Sequence, residues 1–69
     1  MKGYLVQQGP DSSPIYWNAN FESSGILSKD PLAEVKDHPF NLKGATIIRD
    51  LWDSYGNGRC TFKVVELPD

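Results

Sequence analysis

The 69-residue sequence has little of the two residue types that covalent cross-links and metal sites require, cysteine and histidine. Cys60 is the only cysteine, so no internal disulfide can form, and His38 is the only histidine. A structural zinc site takes about four such ligands, so we expect no metal and no cofactor. Small secreted domains usually carry several disulfides, so a lone thiol favours a reducing cytoplasm.

The sequence also lacks long apolar runs and an excess of basic charge. No stretch approaches the ~20 apolar residues of a membrane span, and the N-terminal run MKGYLVQQGPDSS has too short an apolar stretch for a signal peptide. Seven basic and nine acidic side chains give a net charge of -2. We therefore expect no membrane insertion, and nucleic acid is a poor candidate partner because its binding proteins normally carry a basic surface.

Two patterns could suggest chemistry, and neither predicts it. The glycines of the GNG segment at 56–58 follow a predicted helix, whereas phosphate loops place glycines before a helix, where free amide groups meet the anion. Cys60 and His38 could pair as nucleophile and base, but Cys60 falls at an inward strand position and His38 lies beside Pro39 in an expected loop. We therefore expect a protein that is not an enzyme and has no catalytic residues.

The first nineteen residues predict a β-hairpin. Lys2–Gln8 has the aromatic and β-branched content of a strand. The turn cluster GPDSSP follows, with Pro10 and Asp11 suited to the central turn positions. A second strand is then indicated by the alternation of Ile15, Trp17 and Ala19 with Tyr16 and Asn18.

The middle of the chain is less regular. Residues 20–30 are rich in Ser and Gly and show no period, which predicts a loop anchored by Phe21, Ile26 and Leu27. The segment 30–38 leaves two alternatives open. Asp30 can cap a short helix that begins at Pro31, yet apolar and charged residues also alternate here as in a short edge strand.

The longest periodic segment begins after Asn41, a good N-cap residue. At ~100° per residue, an apolar arc predicts a helix over Leu42–Tyr55 that lies on a core. The arc contains Gly44, Ala45, Ile48, Leu51, Trp52 and Tyr55. We expect the two small residues of this arc to let the first helical turn approach a sheet closely.

We interpret the following GNGRC segment as the end of the helix and the start of a strand. Gly56 falls where a left-handed C-cap belongs, and Asn57–Gly58 would complete the reversal. A final strand is then indicated by the alternation of Cys60, Phe62 and Val64 with Thr61, Lys63 and Val65.

These segments predict a single small α+β domain over residues 1–69. We expect a three- to four-stranded, mainly antiparallel sheet with one amphipathic helix packed on one face. The expected core consists of Val6, Ile15, Trp17, Ala45, Ile48, Leu51, Trp52, Phe62 and Val64.

The opposite face of the sheet is the candidate partner-binding surface. One helix covers one face, so the outward strand positions would meet water or a partner. The candidate residues on this face are Leu5, Tyr16, Thr61, Lys63 and Val65. We expect a protein partner, and a chain that is a monomer or weak homodimer alone, because this patch is smaller than the ~800 Å2 per partner of a standard interface. The alternative is a single-stranded nucleic-acid binder that stacks bases on Tyr16 and contacts phosphate through Lys63.

The second half of the chain also resembles a known layout. The run FNLKGATIIRDLW from Phe40, followed by a turn and CTFKVVEL, is similar to very short phage and prophage accessory proteins, in which a hairpin precedes a helix and a closing strand. The resemblance covers about half of the chain and brings no functional residue with it. It implies an accessory protein that acts by binding a component of its host.

Overall fold

A four-stranded antiparallel sheet with two helices makes up the computed structural model, which describes residues 3–56 and 58–68. The strands lie in the order β3-β2-β1-β4, so β4 and β3 form the two edges. This architecture confirms the predicted small α+β fold. The elements are β1 (Tyr4–Gln8), β2 (Ile15–Trp17), β3 (Ser23–Ser24), α1 (Pro31–Val35), α2 (Leu42–Gly56) and β4 (Phe62–Glu66).

The predicted hairpin is present as β1 and β2. Val6 pairs with Trp17 and Gln8 with Ile15. The Ser13 amide donates to the Pro10 carbonyl at 3.0 Å, so the central turn residues are Asp11 and Ser12, and the predicted central position of Pro10 is wrong. The strand β1 begins at Tyr4; the predicted start at Lys2 lies outside the described residues. The hairpin places β1 in the centre of the sheet, where β4 pairs with its other side.

The strand β2 ends at Trp17, two residues before the predicted end at Ala19. The next residue is Asn18. Its side chain is buried and donates from Nδ2 to the Val35 carbonyl at 3.1 Å. Its Oδ1 accepts from the amides of Asn20 and Glu22 at 3.0 and 3.1 Å, which organises a tight turn. Because an asparagine side chain can replace a backbone hydrogen-bond partner in this way, the chain can turn after β2 and return as β3.

The strand β3 and the helix α1 occupy the middle of the chain. The predicted loop at 20–30 contains the two-residue strand Ser23–Ser24, which pairs with β2. The ambiguous segment 30–38 forms the helix α1 rather than an edge strand. Asp30 caps it by accepting from the Ala33 amide at 3.3 Å, and Pro31 occupies the first turn, where a missing amide hydrogen costs nothing.

The helix α2 confirms the predicted Leu42–Tyr55 segment and extends it by one residue. The Asn41 side chain caps it by accepting from the Gly44 amide at 2.6 Å. A Cβ atom at Gly44 would lie 3.0 Å from this same Asn41 oxygen. Glycine at position 44 therefore leaves room for the Asn41 cap. The predicted close approach of the helix to the sheet occurs at Ala45, which is fully buried.

The exit from α2 differs from the prediction. Gly56 is the last helical residue and does not have a positive φ, so the expected left-handed cap at Gly56 is wrong. The positive φ of 78° occurs at Gly58, a conformation that favours glycine. The Arg59 amide donates to the Gly56 carbonyl at 2.9 Å, which reverses the chain towards β4. The expected role of Asn57 lies outside the described residues.

The core lies between α2 and one face of the sheet. Its buried centre is Val6, Phe40 and Ala45, and the half-buried residues packed on it include six that the sequence predicted as core or strand positions, Trp17, Ala19, Ile48, Trp52, Phe62 and Val64. The Trp52 ring contacts Trp17 and Phe62 edge-on, with centroids 5.1 and 6.0 Å apart. Aromatic packing of this kind adds to the burial of apolar area.

Two residues of the predicted core lie elsewhere. Leu51 is 44% exposed, so its assignment to the core is wrong. Ile15 is half-buried outside the cluster, beside Gly25. Phe40 takes a core position instead, because its backbone bonds with Tyr4 extend the sheet by one bridge and direct its ring under α2.

Candidate partner-binding surfaces

The strand register places the predicted binding residues along one face, as their alternation indicated. Leu5 lies opposite Val65, and Gln7 lies between Tyr16 and Lys63. Thr61 precedes β4, is exposed, and accepts at its carbonyl from the Gly9 amide at 2.9 Å. This is the face turned away from α2.

This face is nevertheless not open, so the expectation that all five residues are accessible is wrong. Leu5 is 0% exposed. The helix α1 contacts β2 and β3, and Glu34 on it accepts from the Ser24 hydroxyl, which shares the Leu5 face by strand alternation. Val35 of α1 is also buried, outside the cluster under α2. A second, short helix thus covers part of the face that the sequence assigned to a partner.

The uncovered part of this face is held by a polar contact between the hairpin turn and β4. Lys63 Nζ lies 2.6 Å from Asp11 Oδ1, and Gln7 Nε2 donates to the same oxygen at 2.9 Å. The hydrogen bond from Lys63, followed by that from Gln7, lowers the pKa of Asp11. Lys63 is therefore an ion-paired residue, and its charge is largely neutralised.

A second apolar surface lies on α2, and we call it the α2 row. It consists of Ile47, Leu51 and Tyr55, which follow one another at intervals of four residues and are 55%, 44% and 77% exposed. Residues four apart on a helix lie on one line along its surface. The helical-wheel arc placed Leu51 and Tyr55 inward, because periodicity cannot show how wide the buried stripe is or where the sheet beneath the helix ends.

A third exposed apolar feature is the turn that leads from β3 towards α1. Ile26 is 65% exposed and Leu27 is 100% exposed, so neither anchors the loop as predicted. The Ser28 amide donates to the Gly25 carbonyl at 3.0 Å. Glu34 of α1 stabilises the turn by accepting hydrogen bonds from the Ser24 and Ser28 hydroxyls at 2.9 and 2.7 Å. The Ser28 and Ser24 hydrogen bonds lower the pKa of Glu34.

The residues considered for chemistry lie apart from these surfaces. His38 is exposed, as expected, and Cys60 is half-buried, with its Sγ accepting from the Gln8 side-chain Nε2 at 3.7 Å. Within residues 3–56 and 58–68, no three His, Cys, Asp or Glu side chains are placed to hold one metal ion. A shallow groove of about 500 Å³ separates α1 from Leu67 and Pro68 and has a mixed polar and apolar lining.

Comparison with known proteins adds no family or relative. No protein-family model, curated protein or solved structure matches this chain. In the part of the chain that the structure describes, no helix has the length and apolar character needed to cross a membrane. The surfaces of the molecule itself are therefore the basis for any assignment of function.

Proposed function

We propose that this chain is a small, non-catalytic protein-binding module that docks on its partner through the α2 row. The observation that carries the proposal is the alignment of three large, exposed apolar side chains along one line of a capped helix. Single exposed apolar residues are ordinary on protein surfaces, whereas a contiguous line of them is typical of an interaction site.

The chemistry of the α2 row suits a groove on a partner protein. Helices that bind in apolar grooves present side chains at intervals of three, four and seven residues, which lie on one side of the helix. Tyr55 offers a large ring with a polar end, a residue type enriched among those that contribute most to binding. The helix is already folded and capped by Asn41, so binding would order few additional groups.

The surroundings of this site indicate what kind of partner it fits. Asp50 lies beside the α2 row and is paired with Arg49 at 2.6 Å, so the row has a polar, charge-balanced border. Apolar centres with polar rims are the usual anatomy of protein interfaces. A phage-type accessory protein that acts on a host protein in the reducing cytoplasm remains our proposal for the biological setting, in keeping with the lone Cys60.

The alternative function, binding of single-stranded nucleic acid by Tyr16 and Lys63, has less support. Lys63 would have to leave Asp11, 2.6 Å away, before it could contact a phosphate. Tyr16 is half-buried, and the net charge of -2 provides no basic surface around it. Binding of labelled single strands at low salt that weakens steeply with added salt would favour this alternative.

The test is quantitative capture of partners with variants of the α2 row. Tyr55→Lys and Leu51→Lys each add one positive charge on exposed positions, and we expect each to reduce partner recovery at least about tenfold. Asp53→Asn changes the net charge by the same amount at an exposed position of α2 outside the row and is the matched control. Equal recovery by all three variants, with unchanged circular dichroism, would contradict the proposal.

A further inference from the structure

Among the described residues, the outer edge of β4 presents unpaired backbone groups at Phe62 and Val64. Gly9 donates to the Thr61 carbonyl at 2.9 Å, and Leu67 donates to the Gly3 carbonyl at 2.8 Å. Peptide groups alternate between the two sides of a strand. Thr61 and Leu67 direct their backbone groups towards β1, so Phe62 and Val64, at the alternate positions, direct theirs away from β1. Within the described residues, β4 ends the sheet, and no hydrogen bond reaches those outward groups of Phe62 and Val64.

The two edges of the sheet differ in their capacity to pair. The strand β3 has two serines, one of them held by Glu34, and is too short to serve as a template. The strand β4 has five residues, FKVVE, and runs beside β1 over its whole length. An edge of this length normally needs protection against pairing with another chain.

The protection expected on β4 is Lys63, and Asp11 weakens it. A lysine on an edge strand opposes pairing because two copies would bring like charges together. Here the Asp11 carboxylate lies 2.6 Å from Lys63 Nζ and neutralises much of that charge. Asp11 is held in place by Gln7, so the hairpin turn keeps the carboxylate over β4.

We propose that β4 pairs antiparallel with β4 of a second copy of this chain, about a two-fold axis at Val64, and that the Asp11–Lys63 ion pair favours this pairing modestly. In this register Val64 faces its own copy through two backbone hydrogen bonds, and Lys63 lies opposite Val65 of the second copy. A register with the two-fold axis at Lys63 would place the Lys63 side chains of the two copies directly opposite each other, which is unfavourable because their charges are alike. The two sheets become one continuous antiparallel sheet.

The expected dimer is weak. Pairing of one five-residue edge buries well below the ~800 Å2 per partner of a standard interface. The two Lys63 side chains lie diagonally across the axis, roughly 7–8 Å apart at their Cα atoms, where neutralisation by Asp11 matters. The proposed contact is the backbone of the β4 edge, so N-methylation of Val64 distinguishes it from association through the α2 row.

The first test is sedimentation equilibrium between about 10 µM and 1 mM, a range that covers weak association. We expect a monomer–dimer equilibrium for the unmodified chain. Cys60 allows residues 60–69 to be joined as a synthetic peptide, so the Val64 amide can be N-methylated without altering any side chain. This modification removes the outward donor, and we expect the dimer to be lost while the circular dichroism is retained.

The second test concerns the ion pair. Asp11→Asn leaves Lys63 unneutralised, and we expect dimerisation to weaken about threefold. Adding Lys63→Gln to Asp11→Asn removes the remaining charge and should restore the affinity, whereas Asp53→Asn is the charge-matched control and should have no effect. A chain that stays monomeric at 1 mM would overturn the proposal. So would a dimer that survives N-methylation of Val64 but is lost in Leu51→Lys, since that dimer would form through α2.

Discussion

We expect Leu5→Ala to lower the free energy of unfolding far more than Leu51→Ala. Strand alternation assigns Leu5 to a partner-binding surface and Leu51 to the core, whereas the structure buries Leu5 completely and leaves Leu51 44% exposed. The two substitutions remove the same atoms. Their effects on the free energy of unfolding therefore report the two environments directly.

The expected magnitude follows from the position of Leu5. It lies in the central strand β1 opposite Val65, on the face that α1 partly covers. Truncating a fully buried leucine costs about 2–5 kcal/mol, from lost apolar burial and from the cavity left behind. A single core of this size supplies only ~3–5 kcal/mol, so Leu5→Ala should bring the chain close to unfolding at room temperature. Leu51→Ala should cost less than about 1 kcal/mol, because a large part of that side chain already meets water.

Urea titration followed by the fluorescence of the two tryptophans measures both effects. Trp17 and Trp52 lie with their ring centroids 5.1 Å apart in the core, so their emission reports loss of packing. Val35→Ala independently tests the packing of α1 on the sheet, since Val35 of α1 is buried. If Leu51→Ala destabilised the chain more than Leu5→Ala, the burial of Leu5 and the exposure of Leu51 would be refuted.

The remaining predictions concern a helix cap and a carboxylate. Asn41→Ala removes the acceptor of the Gly44 amide, 2.6 Å away, and should lower the free energy of unfolding by about 1 kcal/mol in the same titration, whereas Asn41→Ser should retain most of it. Hydrogen bonds from Ser28 and Ser24 lower the pKa of Glu34 below 4.5, so their contribution is present above that pH and is lost as pH falls through the lowered value. The melting temperature should fall on acidification below about pH 4.5, and Glu34→Gln should make that fall shallower; an equally steep fall in the variant would contradict this role of Glu34.

Elements that depend mainly on neighbouring residues can be predicted from the sequence. The cap at Asn41 and the extent of α2 depend on local sequence, as do the hairpin and the strand character of the last segment, and these elements are present, although β4 begins at Phe62 rather than Cys60. Asp30 and Pro31 likewise favoured a short helix, whereas the alternation of apolar and charged residues in 30–38 favoured an edge strand. Choosing between the two requires knowing what the segment packs against. Local hydrogen bonding and side-chain period are sufficient for such elements, because they require no distant partner.

Which surfaces are covered depends on contacts between segments that are distant in the chain. Leu5 is fully buried although strand alternation placed it on the open face, and α1, more than twenty residues further along the chain, covers β2 and β3 on that face. Leu51 and Tyr55 are exposed because the sheet beneath α2 is narrower than the apolar arc of that helix. Lys63 is neutralised because the hairpin turn brings Asp11 within 2.6 Å of it. Burial depends on which distant segments meet, and a pattern of apolar residues specifies a side of a strand or helix without specifying what lies on it.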